Sequence, residues 1–220
     1  MNLESIVSTA AEAGVVPHRG ETGSPDADEE LFSVAQALIS SRQNVSPKRL
    51  VEPGPSAEQV DALLTLAAAA PDHGMLNPWR FIIVPPTKRG LLAEVFALAL
   101  IDRDPGATLV QIEAAREKAY RSPLLMLAVT RLVSDQEPEI PNVERIVSLG
   151  CALQNLLLVA HAMGYGSRLT SGQAMASKRM RDLFGLGVDE HAVCFVNVGS
   201  ATKRKPGRAR PTPNQFVTSL

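Results

Sequence analysis

The sequence predicts an α+β domain in which helices cover a central sheet, with one long buried helix dominating it. Three observations lead there. About six helical and at least three strand segments follow one another without the strict alternation of a Rossmann or barrel plan. The segment from Asn142 to about Met163 can form a helix of roughly 30 Å. It is apolar around nearly its whole circumference, so it must be covered on all sides, and a second subunit is a natural cover. Finally, 220 residues at 45% hydrophobic and 4% aromatic suit one globular domain with a Leu, Val, Ile and Ala core.

The elements follow in order. Residues 1–16 are weakly helical and 17–30 (PHRGETGSPDADEE) are polar and rich in turn formers. Residues 1–30 therefore read as a loosely attached extension, and 31–220 as the folded domain. LFSVAQALISSR has helical spacing through Leu31, Val34, Ala35, Leu38 and Ile39, whereas NVSPKRLVEPGP is broken by prolines into loop. Ser56 is the expected cap of the next helix, with Gln59 three residues on and Val60, Leu63, Leu64 and Ala67 on its buried face. Pro71 ends it. RFIIVPP reads as a strand, RGLLAEVFALALIDRD and LVQIEAAREKAYRS as helices, and LLMLAVTRLV as a buried strand. Asn142 is expected to cap the long helix, and 164–172 to form a glycine-rich loop. SKRMRDLFGL then gives a short helix, AVCFVNVG a last buried strand, and TKRKPGRARPTPNQFVTSL an extended basic tail.

Composition excludes several classes. A net charge of −1 leaves no global basic field for nucleic acid or anionic lipid. The basic stretch from Lys203 to Arg210 has no interleaved aromatics to stack bases. Gln154, Asn155 and His161 interrupt the most membrane-like stretch, 146–164, which reads as a buried helix and not a membrane span. Glu4 and Glu12 stand where a secretory leader would want positive charge. Cys151 and Cys194 lie in apolar runs and read as buried thiols, so a cytoplasmic protein is expected. The histidines and cysteines show no metal-ligand spacing, so no metal is expected.

No nucleophile elbow, P-loop or zinc-protease motif occurs, and the GYG at 164–166 is too short to indicate dinucleotide binding. If this is an enzyme, a bound cofactor brings the chemistry. The most informative segment is PDHGMLNPWRF, 71–81. It reads either as a helix-stop loop with Trp79 plugging the core, or as polar groups on a rigid turn that meets the edge of a planar ligand.

At this segment the chain resembles a branch of small proteins within the nitroreductase family. SRQNVSPKRLVEPGP, PDHGMLNPWRF, GCALQNLLLVAHAMGYG and the strand ending at Gly199 occur in the family's order, and the resemblance covers nearly all of 31–220. It implies a three-layer α/β/α sandwich with a mixed or antiparallel sheet, and a homodimer holding two FMN molecules at its interface. Arg42, Gln43 and Asn44 match the triplet that binds the phosphate and ribityl chain. His73 matches a flavin-contacting position, and Ala69 one supplied by the other subunit. Asn77 is a supporting candidate. Leu169, Thr170 and Ser171 match the segment beside the flavin ring, although Gln43, Asn44, Leu169 and Thr170 depart from the family's commoner residues. Lys203 and Arg204, with Lys205 as a further candidate, match the cation that reaches the phosphate. Val159, Ala160, His161, Ala162, Met163 and Gly164 match a stretch assigned to the nicotinamide nucleotide. The implied activity is ping-pong hydride transfer from NADH or NADPH, through flavin N5, to a small planar acceptor such as a nitroaromatic or quinone. No side chain is singled out as catalytic. A flavin-binding dimer without turnover is the alternative.

Overall fold

The computed structural model describes residues 25–133, 139–203 and 209–220. The chain divides into two units, Met1–Ser40 and Ser41–Leu220. What the first unit shows is most of helix α1, Pro25–Ser41, which extends the helical spacing read from Leu31 six residues toward the N-terminus. Pro25 suits a first helical turn because its missing N–H has no partner there, and Asp26 and Asp28 complement the helix dipole. Leu31, Phe32, Val34 and Ile39 on this helix are exposed.

The second unit is built on a five-stranded sheet: β1 (Leu50–Val51), β2 (Trp79–Ile83), β3 (Leu124–Arg131), β4 (Gly166–Thr170) and β5 (Glu190–Ala201). β5 is central. It pairs with β3 along one side, and on the other with β4 over Phe195–Gly199 and then β1 over Ser200–Ala201. β2 forms the edge beyond β3. Among the described residues every strand pairing is antiparallel, and one parallel bridge joins Asn44 to Ser167.

The alternation of side chains along β3 and β5 builds two cores. Met126, Ala128, Cys194, Val196 and Val198 face α2 (Ala57–Ala67) and α5 (Asn142–Ala162). Leu125, Leu127, Val129 and Phe195 face α3 (Arg89–Arg103) and α6 (Lys178–Phe184). α4 (Leu109–Arg116) packs beside α3 and buries Ala115. The three layers expected from the sequence are therefore present. Ser56 and Gln59 form the expected reciprocal cap on α2, with Gln59 N–H donating to Ser56 Oγ at 3.3 Å.

Three local expectations are corrected. Residues 166–170 are a strand and not a glycine-rich loop: backbone pairing with β5 overrides the weak strand propensity of Gly166, Ser167 and Arg168. Pro141, not Asn142, occupies the cap of α5. The Asn142 amide instead accepts from Val133 N–H at 3.0 Å and donates to Val133 O at 2.8 Å, pinning the chain that leaves β3. The helix expected over 109–122 ends at Arg116 and continues as a 3₁₀ turn over Glu117–Tyr120 that buries Ala119.

α5 is long and apolar enough to cross a membrane, by length and composition alone. It packs instead on the sheet through Leu149, Ala152, Leu156 and Ala160, all at most 2% exposed.

Candidate functional site

Residues that lie far apart in sequence meet at the edge of the sheet beside β4. Ser41 Oγ lies 2.8 Å from His161 Nε2, near the C-terminal end of α5. The chain then runs along β4, where Val45 N–H donates to Ser167 O at 3.1 Å. Arg42 is half-buried here, and its Nη1 donates to Asn44 Oδ1 at 3.3 Å. Gln43 between them is half-buried and Asn44 is exposed. Arg210 returns to the same place and donates from Nη2 to Arg42 O at 3.3 Å. Thr202 N–H donates to Arg49 O at 3.0 Å, leading into the exposed Lys203. Arg204 and Lys205 lie outside the described residues.

Close approach at this edge depends on Gly166. A Cβ there would sit 2.9 Å from both Leu50 Cδ2 and Val45 Cγ2, so any side chain would push apart the strands that gather the site. Gly164 has φ 87° and ends α5: its N–H donates to His161 O at 2.9 Å, and Tyr165 N–H to Ala160 O at 2.9 Å, the paired bonds of a left-handed helix stop. Within the expected nicotinamide stretch, Ala160 is fully buried against the sheet, Val159, His161 and Met163 are half-buried, and Ala162 and Gly164 are exposed.

β4 sends alternate side chains to opposite faces. Leu169 joins the core under α5, whereas Thr170, together with Ser171 just beyond the end of the strand, lines a cavity of about 620 Å³ on the α3 and α4 side. Asn197, 2% exposed on β5, holds Thr170 in place. Its Nδ2 donates to Thr170 Oγ1 at 3.0 Å and Arg168 O at 3.3 Å, while Ser122 Oγ donates to its Oδ1 at 3.2 Å. Arg103, Lys118 and Arg121 also line this cavity. Partial burial, reinforced by Arg121 and Arg103, lowers the Lys118 ammonium below its ordinary pKa.

The PDH turn lies elsewhere. His73 Nδ1 is 2.7 Å from Glu144 Oε2, near the start of α5, and Trp79 Nε1 donates to Ser148 Oγ at 3.0 Å. Asn77 has φ 45°, and its N–H donates to Asp72 Oδ2 at 2.6 Å. Asp72 thus holds a tight turn, and Trp79 packs half-buried against the core with its ring centroid 5.6 Å from that of Phe81. Glu144 and His161 are separated by seventeen residues of α5, about 25 Å of helix. One chain therefore does not bring His73 to the Arg42 edge. Ala69 is exposed in the turn that follows α2.

Sequence reasoning missed Arg210 and Asn197. Arg210 stood among the basic residues of the tail, but only the fold returns it to Arg42. Asn197 was hidden in an apolar strand, where a lone buried amide was the available signal.

The chain matches the Nitroreductase family over residues 46–200. It is 30% identical over 185 residues to YdjA of Escherichia coli strain K12, provisionally named an NAD(P)H nitroreductase, with 84% of this chain and 98% of that protein covered. A Haemophilus influenzae protein with the same provisional activity is 28% identical over 187 residues, covering 84% of this chain and 99% of its own. Among solved structures, a nitroreductase-like family protein from Bacillus cereus superposes with a TM-score of 0.72 at 17% identity, covering 84% of this chain and 94% of that one. The FMN-dependent nitroreductase NfnB from Mycobacterium smegmatis, solved in complex with NADPH, gives 0.66 at 17% identity, covering 86% and 99%.

Proposed function

Because the chain belongs to the nitroreductase family, we propose that it is an FMN-dependent oxidoreductase that draws electrons from NADH or NADPH and reduces a small planar acceptor, a nitroaromatic, a quinone or another conjugated electrophile. The observation that carries this reading is the meeting of the 42–45 segment, β4 and the end of α5 at one sheet edge, next to a cavity lined by Thr170 and Ser171.

The donor set fits FMN. Arg42 and Arg210, joined through the Arg42 carbonyl, put two guanidinium-bearing residues at one edge, and Asn44 adds an amide. A guanidinium suits a phosphate dianion because its planar N–H groups match two oxygens at once. Lys203 follows the strand that closes this edge, and Gln43 belongs to the same segment. Thr170 and Ser171 are the candidates for side chains beside the ring, Leu169 offering only backbone groups there, and Asn197 holds Thr170 so that its position is set before a ligand arrives.

When bound, the flavin supplies the two-electron chemistry that couples NAD(P)H oxidation to acceptor reduction. Hydride transfer of this kind asks for no protein acid or base. The chain's own part is to hold phosphate and ring, to offer hydrogen bonds at the ring's edge, and to set positive charge where negative charge collects. Of the stretch proposed to meet the nicotinamide nucleotide, all but the buried Ala160 (Val159, His161, Ala162, Met163 and Gly164) keep accessible surface.

We place the molecule as a homodimer with two flavins at its interface. His73, Asn77 and the α5 start lie about 25 Å along the helix from the Arg42 edge. A two-fold partner would bring its Ala69 and His73 to the flavin held by Arg42, and each chain would return the same service.

The visible absorption spectrum of the purified protein tests this, followed anaerobically as NADH and then NADPH are added. Flavin bands that bleach with one donor and return with a nitroaromatic or quinone are the expected result. A protein that stays colourless after incubation with FMN would overturn the reading, and a bound flavin that never bleaches would make the dimer a non-catalytic flavin carrier.

A further inference from the structure

We propose that the cavity between α3, α4 and the sheet binds an oxyanion group of the electron acceptor, so that the acceptor is a planar organic acid. This rests on the flavin oxidoreductase reading for the source of electrons, but the pocket is argued from this chain's own side chains.

The cavity, about 620 Å³, is within the range that holds a small molecule. Its walls follow from helical spacing. α3 turns Phe96, Leu100 and Arg103 to one side, at i, i+4 and i+7, α4 adds Gln111 and Ala115, and Lys118 stands on the 3₁₀ turn that follows α4. Arg121 follows the 3₁₀ turn after α4. The α3 wall is apolar at Phe96 and Leu100 and cationic at Arg103, and beyond α4 the lining is cationic at Lys118 and Arg121. Phe195 and Leu125 form the floor, and Phe96 meets Phe195 edge-on at 5.6 Å.

The charge is one-sided. Arg103, Lys118 and Arg121 line the cavity, and no carboxylate does among the described residues. Three of the neighbouring acids are engaged elsewhere: Glu94 and Glu113 hold Arg116, and Asp102 holds Arg179 with Oδ2 at 2.5 Å from Nε. Partial burial first, and then repulsion from Arg121 and Arg103, lower the Lys118 ammonium, and no ion pair among the described residues relieves that repulsion. An anion placed between Lys118 and Arg121 removes it, with charge-assisted hydrogen bonds in place of like-charge contact. The apolar floor accepts the flat body of such a ligand. Its far end then points to Thr170 and Ser171, the residues proposed to lie beside the flavin.

The probe is 4-nitrobenzoate, compared with the neutral 4-nitrobenzamide of nearly the same shape. FMN-loaded protein should reduce the acid with kcat/KM about tenfold above the amide, the worth of one charge-assisted contact. The double variant Lys118→Gln, Arg121→Gln should lose that preference. Calorimetric titration of 4-nitrobenzoate should show the same loss of affinity, and FMN affinity should be equal in both proteins. An absent preference, or one that survives in the double variant, would overturn the proposal. Weaker FMN binding by the variant without a change in acid preference would reassign the cations to the flavin phosphate, and so overturn it too. The titration is repeated on flavin-free protein. Binding of 4-nitrobenzoate that depends on Lys118 and Arg121, in a protein that never takes up FMN, would sustain the anion pocket while removing the flavin reading. No binding with or without FMN would end it.

Discussion

Three side chains, Val45, Leu50 and Ala201, converge on the empty side of Gly166 at 2.9–3.0 Å from where a Cβ would stand. Two residues earlier, Gly164 adopts the left-handed geometry that lets Tyr165 reach back to Ala160. The glycines of GYG therefore stop a helix and admit neighbouring strands, and the motif's resemblance to a nucleotide-binding turn is incidental. What they assemble is the edge that carries Arg42. If that guanidinium grips the phosphate, Arg42→Ala should weaken FMN retention by about 1.5–3 kcal/mol, the scale of a hydrogen bond to a charged group. Equilibrium dialysis of FMN against the variant measures this, and an unchanged dissociation constant would remove Arg42 from the site. Arg42 was legible in the sequence because it stands at a helix end before a recognisable segment. Arg210 and Asn197 were not, since each acquires its role from a residue more than 25 positions away: Arg42 for the first, Thr170 for the second.

At the scale of elements, sequence legibility followed the strength of the local pattern. α2, α3, α5, β3 and the body of β5 carry long apolar runs or helical spacing, and each formed as expected. β1 and β4 carry almost none, being short and rich in proline, glycine or polar residues nearby. They are strands because β5 offers them backbone partners, and such pairing is invisible before the fold is known. The PDH turn falls between these cases. Its position was clear, but its packing against the α5 start, 25 Å or so from the Arg42 edge, could not be read from spacing. One tie between elements makes a testable statement about pH. Glu190, at the start of β5, accepts from Arg80 Nε at 2.6 Å and Nη2 at 2.9 Å, across the intervening β3, and from Gly187 N–H at 2.9 Å. The Arg80 hydrogen bonds above all hold its carboxyl at about 2, against an ordinary 4.5. The folded value lies below the unfolded one, so the tie contributes fully above pH 4.5 and is lost as pH falls toward 2. Urea midpoints should accordingly fall more steeply through that window in the native protein than in Glu190→Gln. Parallel profiles for the two would show that the Arg80 contact adds no stability.

The whole molecule has a surface that one chain leaves uncovered. Val143, Ile146 and Val147 follow one another along the first turns of α5 and are 65%, 51% and 58% exposed, while the opposite side of the helix is closed against the sheet. An exposed Val or Ile alone needs no explanation, but a stripe at helical spacing beside the His73 turn does. A two-fold partner would cover it most simply, because a symmetric contact would bury the stripe twice and carry the PDH turn to the flavin proposed for the other subunit. Each Val buried this way contributes on the order of 1.5 kcal/mol, and a carboxylate in its place faces its own copy across the axis. If the proposed dimer forms on this face, the native protein should sediment as a dimer and Val147→Asp as a monomer at the same concentration. The variant should also release its flavin, although Arg42, Asn44 and Ser171 are untouched. Far-ultraviolet circular dichroism should remain native, since Val147 lies outside the core. A Val147→Asp protein that stays dimeric with its flavin in place would show that the subunits meet on another face. A monomer that keeps its flavin would show instead that one chain completes the site alone.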